Sequence, residues 1–372
     1  MIARPLESEH MTQQPETPAS EQLELRQTQL RQWAGAALHE NNLRQVSDNN
    51  FDFSMVSGDA SFRRYFRVAF EGQSFIAVDA PPAHEDSASF VHVDELFLQA
   101  GVHVPKIYAS DLEKGFMLLE DFGDETYLPT LLKAQAGQDA TVSNKLYQEA
   151  IDALLLMQKG ADKKRLAPYD KKALRREMSL FPEWMCEKFL GVELESGSKK
   201  LIDDTFSFLE DSALSQPTVA VHRDYHSRNL LILQSGNGPG VIDFQDALAG
   251  PYTYDLVSLL RDCYIVWPQS RIDEWAGYYL QGAVDAGILT DVTQAQFTRD
   301  LDLMGLQRHL KVLGIFCRLY LRDNKSGYLA DIPLVIQYFL DVSQRYPEMG
   351  AFLTWFRSEV LPRAREKFKL EV

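Results

Sequence analysis

The sequence predicts an α+β protein in two lobes, a small antiparallel sheet followed by a large, mainly helical part. Three observations carry this. Short runs of β-branched and aromatic residues, broken by Gly, Pro and Asp, crowd residues 51–119. Beyond residue 123, apolar positions recur at helical spacing over long stretches. Only three further strand-like pieces, 218–221, 230–233 and 240–244, interrupt that helical region.

The elements follow in order. Residues 1–20 mix Pro, Glu, Gln, Ser and Thr with few apolar side chains and read as a disordered tail. Ser20 reads as an N-cap, and Leu23, Leu30, Trp33 and Ala37 place a helix over 21–40. Residues 51–56 run into Ser57-Gly58-Asp59, 62–70 into Glu71-Gly72, and 75–78 into Pro81-Pro82, the pattern of an antiparallel meander. A helix over 86–100 puts Phe90, Val93, Leu96 and Phe97 on one face, and strands at 107–109 and 116–119 complete the order β-β-β-α-β-β. The first lobe is thus 21–122. The second, 123–372, carries helices at 143–160, 171–190, 199–212 and from about 252 onward.

Composition narrows the function. A chain of 372 residues buries most of its unfolded surface without a staple. Three cysteines with no Cys-x-x-Cys pair exclude a disulfide scaffold and give no structural zinc spacing. The charge balance of 38 basic against 53 acidic residues, net −15, argues against nucleic acid as partner. No apolar run approaches the roughly 18 residues of a membrane span, and the N-terminus has no apolar signal core. The expectation is a cytoplasmic protein with a small-molecule partner, no membrane, and no obligate protein partner.

Two clusters carry chemistry. One is His222-Arg223-Asp224-Tyr225-His226-Ser227-Arg228-Asn229. The other is Val241-Ile242-Asp243-Phe244-Gln245-Asp246. Together they read H-x-D-x-x-x-x-N followed, 14 residues later, by an Asp ending an apolar strand. Phosphoryl transfer needs these residue types: an Asp to orient and deprotonate the accepting hydroxyl, and Asn and Asp oxygens to hold the magnesium that bridges ATP phosphates.

This pattern resembles the aminoglycoside/choline phosphotransferase superfamily, which shares the protein-kinase-like fold. The second histidine, two residues after the Asp, is the small-molecule form of the loop. Further strings resemble one branch of it: Gly58-Asp59-Ala60-Ser61-Phe62-Arg63-Arg64-Tyr65-Phe66-Arg67-Val68, Asp79-Ala80-Pro81-Pro82, and Tyr254-Asp255-Leu256-Val257-Ser258-Leu259-Leu260-Arg261-Asp262. That branch is the bacterial cell-wall-recycling kinases that phosphorylate the anomeric hydroxyl of N-acetylmuramic acid and N-acetylglucosamine. The resemblance implies ATP and Mg²⁺, Asp224 as catalytic base, Asn229 and Asp243 as magnesium ligands, and His222, His226 and Asp255 as loop supports. It puts Gly58, Ala60 and Ser61 in a phosphate-covering loop and the backbone around Leu118 and Glu120 against adenine. Asp246 and Arg261 are substrate candidates, and Arg261, Arg318 and Arg322 are candidate cations for the lactyl carboxylate of N-acetylmuramate. An aminoglycoside or other hydroxyl kinase and a non-catalytic pseudokinase are the alternatives.

One departure stands out. Protein kinases carry a phosphate-binding lysine on the third strand. Here that strand ends at Asp79, and the first lysine of the chain is Lys106. The expected substitute is Arg63 or Arg64, of which only one can face the phosphates because strand neighbours alternate. Asp121-Phe122-Gly123 spells the kinase metal motif but precedes the catalytic loop, so it is read as a connecting segment. Glu95 takes the place of the helix glutamate that pairs with the missing lysine.

Overall fold

The structure, a computed structural model, describes residues 19–43, 50–58, 62–234, 236 and 238–369. The chain forms two compact units, the described part of Met1–Ser87 with Lys106–Asp121, and Ala88–Pro105 with the described part of Phe122–Val372. The expected tail lies outside the described residues except for Ala19 and Ser20, which open the first helix, so Ser20 sits within its first turn.

The first unit contains α1 (Ala19–Glu40), β1 (Asp52–Gly58), β2 (Arg64–Phe70) and β3 (Gln73–Asp79). After α2 (Ser87–Gln99) come β4 (Ile107–Asp111) and β5 (Phe116–Glu120). The five strands are antiparallel in the order β1-β2-β3-β5-β4. Alternation in the sequence sets their faces: Phe66, Val68, Phe75, Ala77, Phe116 and Leu118 pack on Leu30, Ala34 and Leu38 of α1. The β2–β3 turn is two residues long, and Glu71 and Gly72 both have positive φ (49° and 77°). That backbone matches the twist of a tight hairpin, and Gly72 adopts it without a Cβ penalty.

The α2 helix, expected within the small lobe, groups with the helical unit instead. Its aromatic face explains this: Phe90 lies 4.8 Å and Phe97 6.0 Å from the ring of Phe244. The following segment is tied there by the Val241 N–H, which donates to the His103 carbonyl at 2.8 Å. Glu95 points outward to Arg165 at 3.4 Å. The inward carboxyl is Asp94, 3% exposed, its Oδ2 without a hydrogen-bond partner among the described residues. Burial pushes its pKa up to about 7. A carboxyl whose folded pKa is raised binds its proton more tightly in the native state, so stability falls as pH rises from about 4 through 7. Asp94→Asn is expected to flatten that dependence and to raise Tm at pH 8 more than at pH 5. A Tm difference independent of pH would disprove it.

The second unit continues with α3 (Tyr127–Ala136), α4 (Ala140–Gly160), α5 (Lys171–Met178) and α6 (Ser196–Ser215). The helix expected over 171–190 breaks after Met178, and a π-helical stretch, Phe181–Phe189, begins with Pro182 near its start. Proline has no N–H to continue the preceding ladder. Then come β6 (Thr218–Val221), β7 (Leu230–Ile232), β8 (Pro239–Val241) and β9 (Leu248–Pro251), pairing as β6-β9 and β7-β8, both antiparallel. β8 ends before the expected 244 because Asp243 turns left-handed, φ 64°. The remainder is helical: α7 (Tyr254–Leu260), α8 (Gln269–Asp285), α9 (Gln294–Asp323), α10 (Ile332–Ser343), α11 (Gly350–Trp355) and α12 (Leu361–Phe368).

The 30-residue α9 is the axis of this unit. Leu306, Leu310, Leu313 and Cys317 meet Phe181, Phe339, Phe352 and Phe356 in the core. Gly314 is obligatory there, since a Cβ would fall 2.2 Å from the Leu180 carbonyl carbon. Cys186, Cys263 and Cys317 are free and buried. Among the described residues no helix is long and apolar enough to cross a membrane.

Candidate active site

The loop from His222 to Asn229 joins β6 to β7, and Asp243 follows β8. Pairing β7 with β8 puts Leu230 opposite Val241, which draws the end of the first cluster onto the start of the second. The Ile242 N–H donates to the Asn229 carbonyl at 3.1 Å. The Asn229 amide Nδ2 donates to the Asp224 carbonyl at 2.9 Å and reaches Asp243 Oδ2 at 3.4 Å. Both donations use the nitrogen side of a planar amide, which turns its oxygen the other way. Asp243 also accepts from Gln245 at 2.9 Å.

Buried groups hold this loop from beneath. The Asp255 carboxylate accepts the N–H groups of His222 at 2.7 Å and Arg223 at 2.9 Å. Burial raises its pKa, and His222 acts against that rise. Asp262, one helix further along, accepts the Ser227 N–H at 3.0 Å and its hydroxyl at 2.5 Å. His222 Nε2 donates to the Ile242 carbonyl at 3.0 Å, and its Nδ1 accepts the Asp224 N–H at 3.3 Å. This pairing requires the neutral ring with its proton on Nε2, and burial lowers the His222 pKa to suit. His226 packs edge-on against Tyr264 at 5.3 Å, also with its pKa lowered by burial. Arg223 and Asp243 are both left-handed, φ 80° and 64°. Non-glycine residues persist there only when their surroundings hold them.

The electrostatics keep Asp224 charged. Burial opposes its ionisation, but Lys311, Arg308 and Arg223 outweigh it and hold the carboxyl well below the usual range. Two of these cations, Arg223 and Lys311, are themselves anchored. Glu177 of α5 pairs with Arg223, lies 3.7 Å from the Lys311 ammonium, and accepts from the Tyr169 hydroxyl. The Lys311 Nζ donates to the Tyr254 hydroxyl at 3.0 Å. Glu177, Arg308 and Lys311 were not anticipated. The only sequence signal was polarity, Gln307-Arg308-His309 and Lys311, in the otherwise apolar stretch 303–317 of α9.

Other anticipated residues are placed differently. Arg261 is 3% exposed and ion-paired with buried Asp302. Arg322 is bonded to adjacent Asp323 at 2.8 Å, and Arg318 is half-buried. Asp246 exposes its side chain and offers its carbonyl to Arg223 at 3.2 Å.

Within the sheet unit, Asp79 is fully buried and bound by Arg26 Nε at 2.9 Å and Arg64 Nε at 3.0 Å. Arg63 pairs instead with Glu85 at 3.1 Å. Asp121 is held by Arg67 at 2.6 and 3.0 Å. Gly58 closes β1, opposite Arg64, while Ala60 and Ser61 lie outside the described residues. Leu118 is buried in β5, opposite Ala77 of β3 and Ala109 of β4. The Glu120 N–H donates to the Lys106 carbonyl at 2.9 Å.

The N-acetylmuramate/N-acetylglucosamine kinase of Pseudomonas putida is 47% identical over 295 residues, 79% of this chain and 84% of that one. The protein of the same name from Neisseria meningitidis is 41% identical over 304 residues, 82% of this chain and 89% of that one. An ethanolamine kinase structure from Plasmodium vivax shares the fold, with a TM-score of 0.56 at 12% identity, covering 82% of this chain and 87% of the other. A choline kinase structure from Streptococcus pneumoniae does so with 0.53 at 13%, covering 77% and 94%. The model of the phosphotransferase enzyme family matches residues 52–290, a span that holds the sheet, the Asp224 loop and Asp243. The chain belongs to the phosphotransferase enzyme family.

Proposed function

We propose that this protein is an ATP-dependent kinase that phosphorylates the anomeric hydroxyl of N-acetylmuramate and N-acetylglucosamine. The observation that carries the reading is the meeting of Asp224, Asn229 and Asp243, with the Asn229 amide 2.9 Å from the Asp224 carbonyl and 3.4 Å from the Asp243 carboxylate. The sugar comes from relatives of that name at 41–47% identity.

Asp224 is the base. It orients the sugar hydroxyl and takes its proton as the oxygen bonds to the γ-phosphorus and the bond to the departing diphosphate breaks. An anomeric hydroxyl is more acidic than an ordinary alcohol, so a single ionised carboxylate suffices. Asn229 and Asp243 would hold magnesium through an amide oxygen and a carboxylate oxygen, the donors this ion prefers, with the Asn229 amide turned to bring its oxygen to the metal. When bound, the metal neutralises charge developing on the phosphates. His222 keeps the base and the metal-binding strand end in register, and Asp255 and Asp262 fix the loop backbone.

Arg63 is the proposed phosphate cation in place of the strand-three lysine, because its partner Glu85 is a partly exposed carboxylate 3.1 Å away, whereas Arg64 is tied to the fully buried Asp79 that it shares with Arg26. Arg63→Ala is expected to raise the ATP KM about tenfold or more, the scale of a lost charge-assisted bond. Arg64→Ala is expected to lower stability by about 1–3 kcal/mol with little change in ATP KM. The reverse assignment in steady-state kinetics would overturn this.

The functional test is turnover of ATP-Mg by the purified protein against a panel of N-acetylated sugars and aminoglycosides, with phosphorus NMR on the product. A sugar 1-phosphate from both named sugars is the expected result. Phosphorylation of aminoglycosides alone, or ATP hydrolysis indifferent to any acceptor, would overturn the reading.

A further inference from the structure

The middle of α9 carries more charge than a buried helix normally tolerates. Arg308 and Lys311 are 3% and 7% exposed. Being three residues apart, they share a helix face. Buried cations ordinarily have partners, because burial of an unpaired charge is costly. Lys311 has them in Glu177 and Tyr254, and Arg261, packed against the same helix beside Gly305, has one in Asp302.

Arg308 is the exception. Its Nε and Nη1 are buried without any hydrogen-bond partner among the described residues. The carboxylates that act on it most are Asp224 and Asp262, at and beneath the loop that carries the base. Asp224 holds no hydrogen bond from Arg308, and the oxygens of Asp262 are taken by Ser227 and the Tyr264 N–H. A buried guanidinium left short of its bonds is costly, so the site favours a ligand that completes them. Its fixed fork of donors matches the two oxygens of a carboxylate. Asn229 and Asp243 are the pair proposed for metal and phosphates, whereas the carboxylates that act on Arg308 include Asp224, the base proposed to meet the acceptor.

We propose that Arg308 is the residue that recognises the carboxylate of the acceptor sugar, the group that N-acetylmuramate carries and N-acetylglucosamine lacks. The inference rests on the sugar-kinase reading above and deepens it. The guanidinium pairs with the lactyl carboxylate, which orients the anomeric hydroxyl of that sugar toward Asp224. N-acetylglucosamine binds without this contact.

The experiment compares kcat and KM for both sugars and for ATP in the wild type, Arg308→Gln and Arg308→Lys. The ratio of kcat/KM for N-acetylmuramate over N-acetylglucosamine is expected to fall at least about tenfold in Arg308→Gln, mainly through KM, with partial recovery in Arg308→Lys. An equal loss for both sugars would mean that Arg308 only supports the loop. A rise confined to the ATP KM would give it to the phosphates. An unchanged ratio would leave it no role in recognition, and each of these three results overturns the proposal. Should Arg308→Gln fail to fold, the wild type itself answers with the methyl ester of N-acetylmuramate. Its KM should exceed that of the free acid by about tenfold or more, and an equal KM overturns the proposal. If the wild type phosphorylates neither sugar, it is the functional reading that has failed.

Discussion

Asp224→Asn lowers kcat by about 10²–10⁴-fold, the cost of removing a general base, while folding and ATP binding persist. The carboxylate is held ionised against its own burial by Lys311, Arg308 and Arg223. Asparagine keeps the shape but can neither take a proton nor balance those cations. The loop itself does not depend on that side chain, since Asp255, Asp262 and His222 hold its backbone. Retention of more than about a tenth of wild-type turnover would remove Asp224 from the role of base. Circular dichroism and nucleotide calorimetry on the same sample separate loss of chemistry from loss of structure.

Asp243→Ala abolishes measurable turnover, whereas Asp121→Ala leaves kcat within a few fold and lowers stability. Both aspartates precede phenylalanine, yet their surroundings differ. Asp243 is exposed beside Asn229 and Gln245, in a left-handed conformation that alanine adopts less readily. Asp121 is an ion-pair partner of Arg67, and losing such a partner costs about 1–3 kcal/mol. Adding excess Mg²⁺ should not rescue Asp243→Ala, because the substitution removes outright the oxygen proposed to bind the metal. A larger kcat loss in Asp121→Ala, at equal folded fraction, would invert the two roles.

The linear sequence was enough for the fold class and for the class of enzyme. Alternation at Phe66, Val68, Phe75 and Ala77, with turns at Glu71-Gly72 and Pro81-Pro82, specifies a sheet with one buried face, because strand periodicity and turn chemistry are local properties. The spacing of Asp224, Asn229 and Asp243 is legible for the same reason, all three lying within 20 residues on one loop and one hairpin.

What only the tertiary structure decided is how distant charges are settled. Arg261 looked available until Asp302, 41 residues away, met it in the core. The Asp79 carboxylate, standing where a lysine was expected, proved to be shared by Arg26 and Arg64. The α2 helix left the small lobe because its phenylalanines meet Phe244, far along the chain. Arg308 and Lys311 lie more than 80 residues beyond Asp224 in a helix of ordinary appearance. Whether a charge there is a solvated ornament or the counter-charge of a buried carboxylate depends on burial and pairing. Those are properties of the packed chain, and no local pattern encodes them.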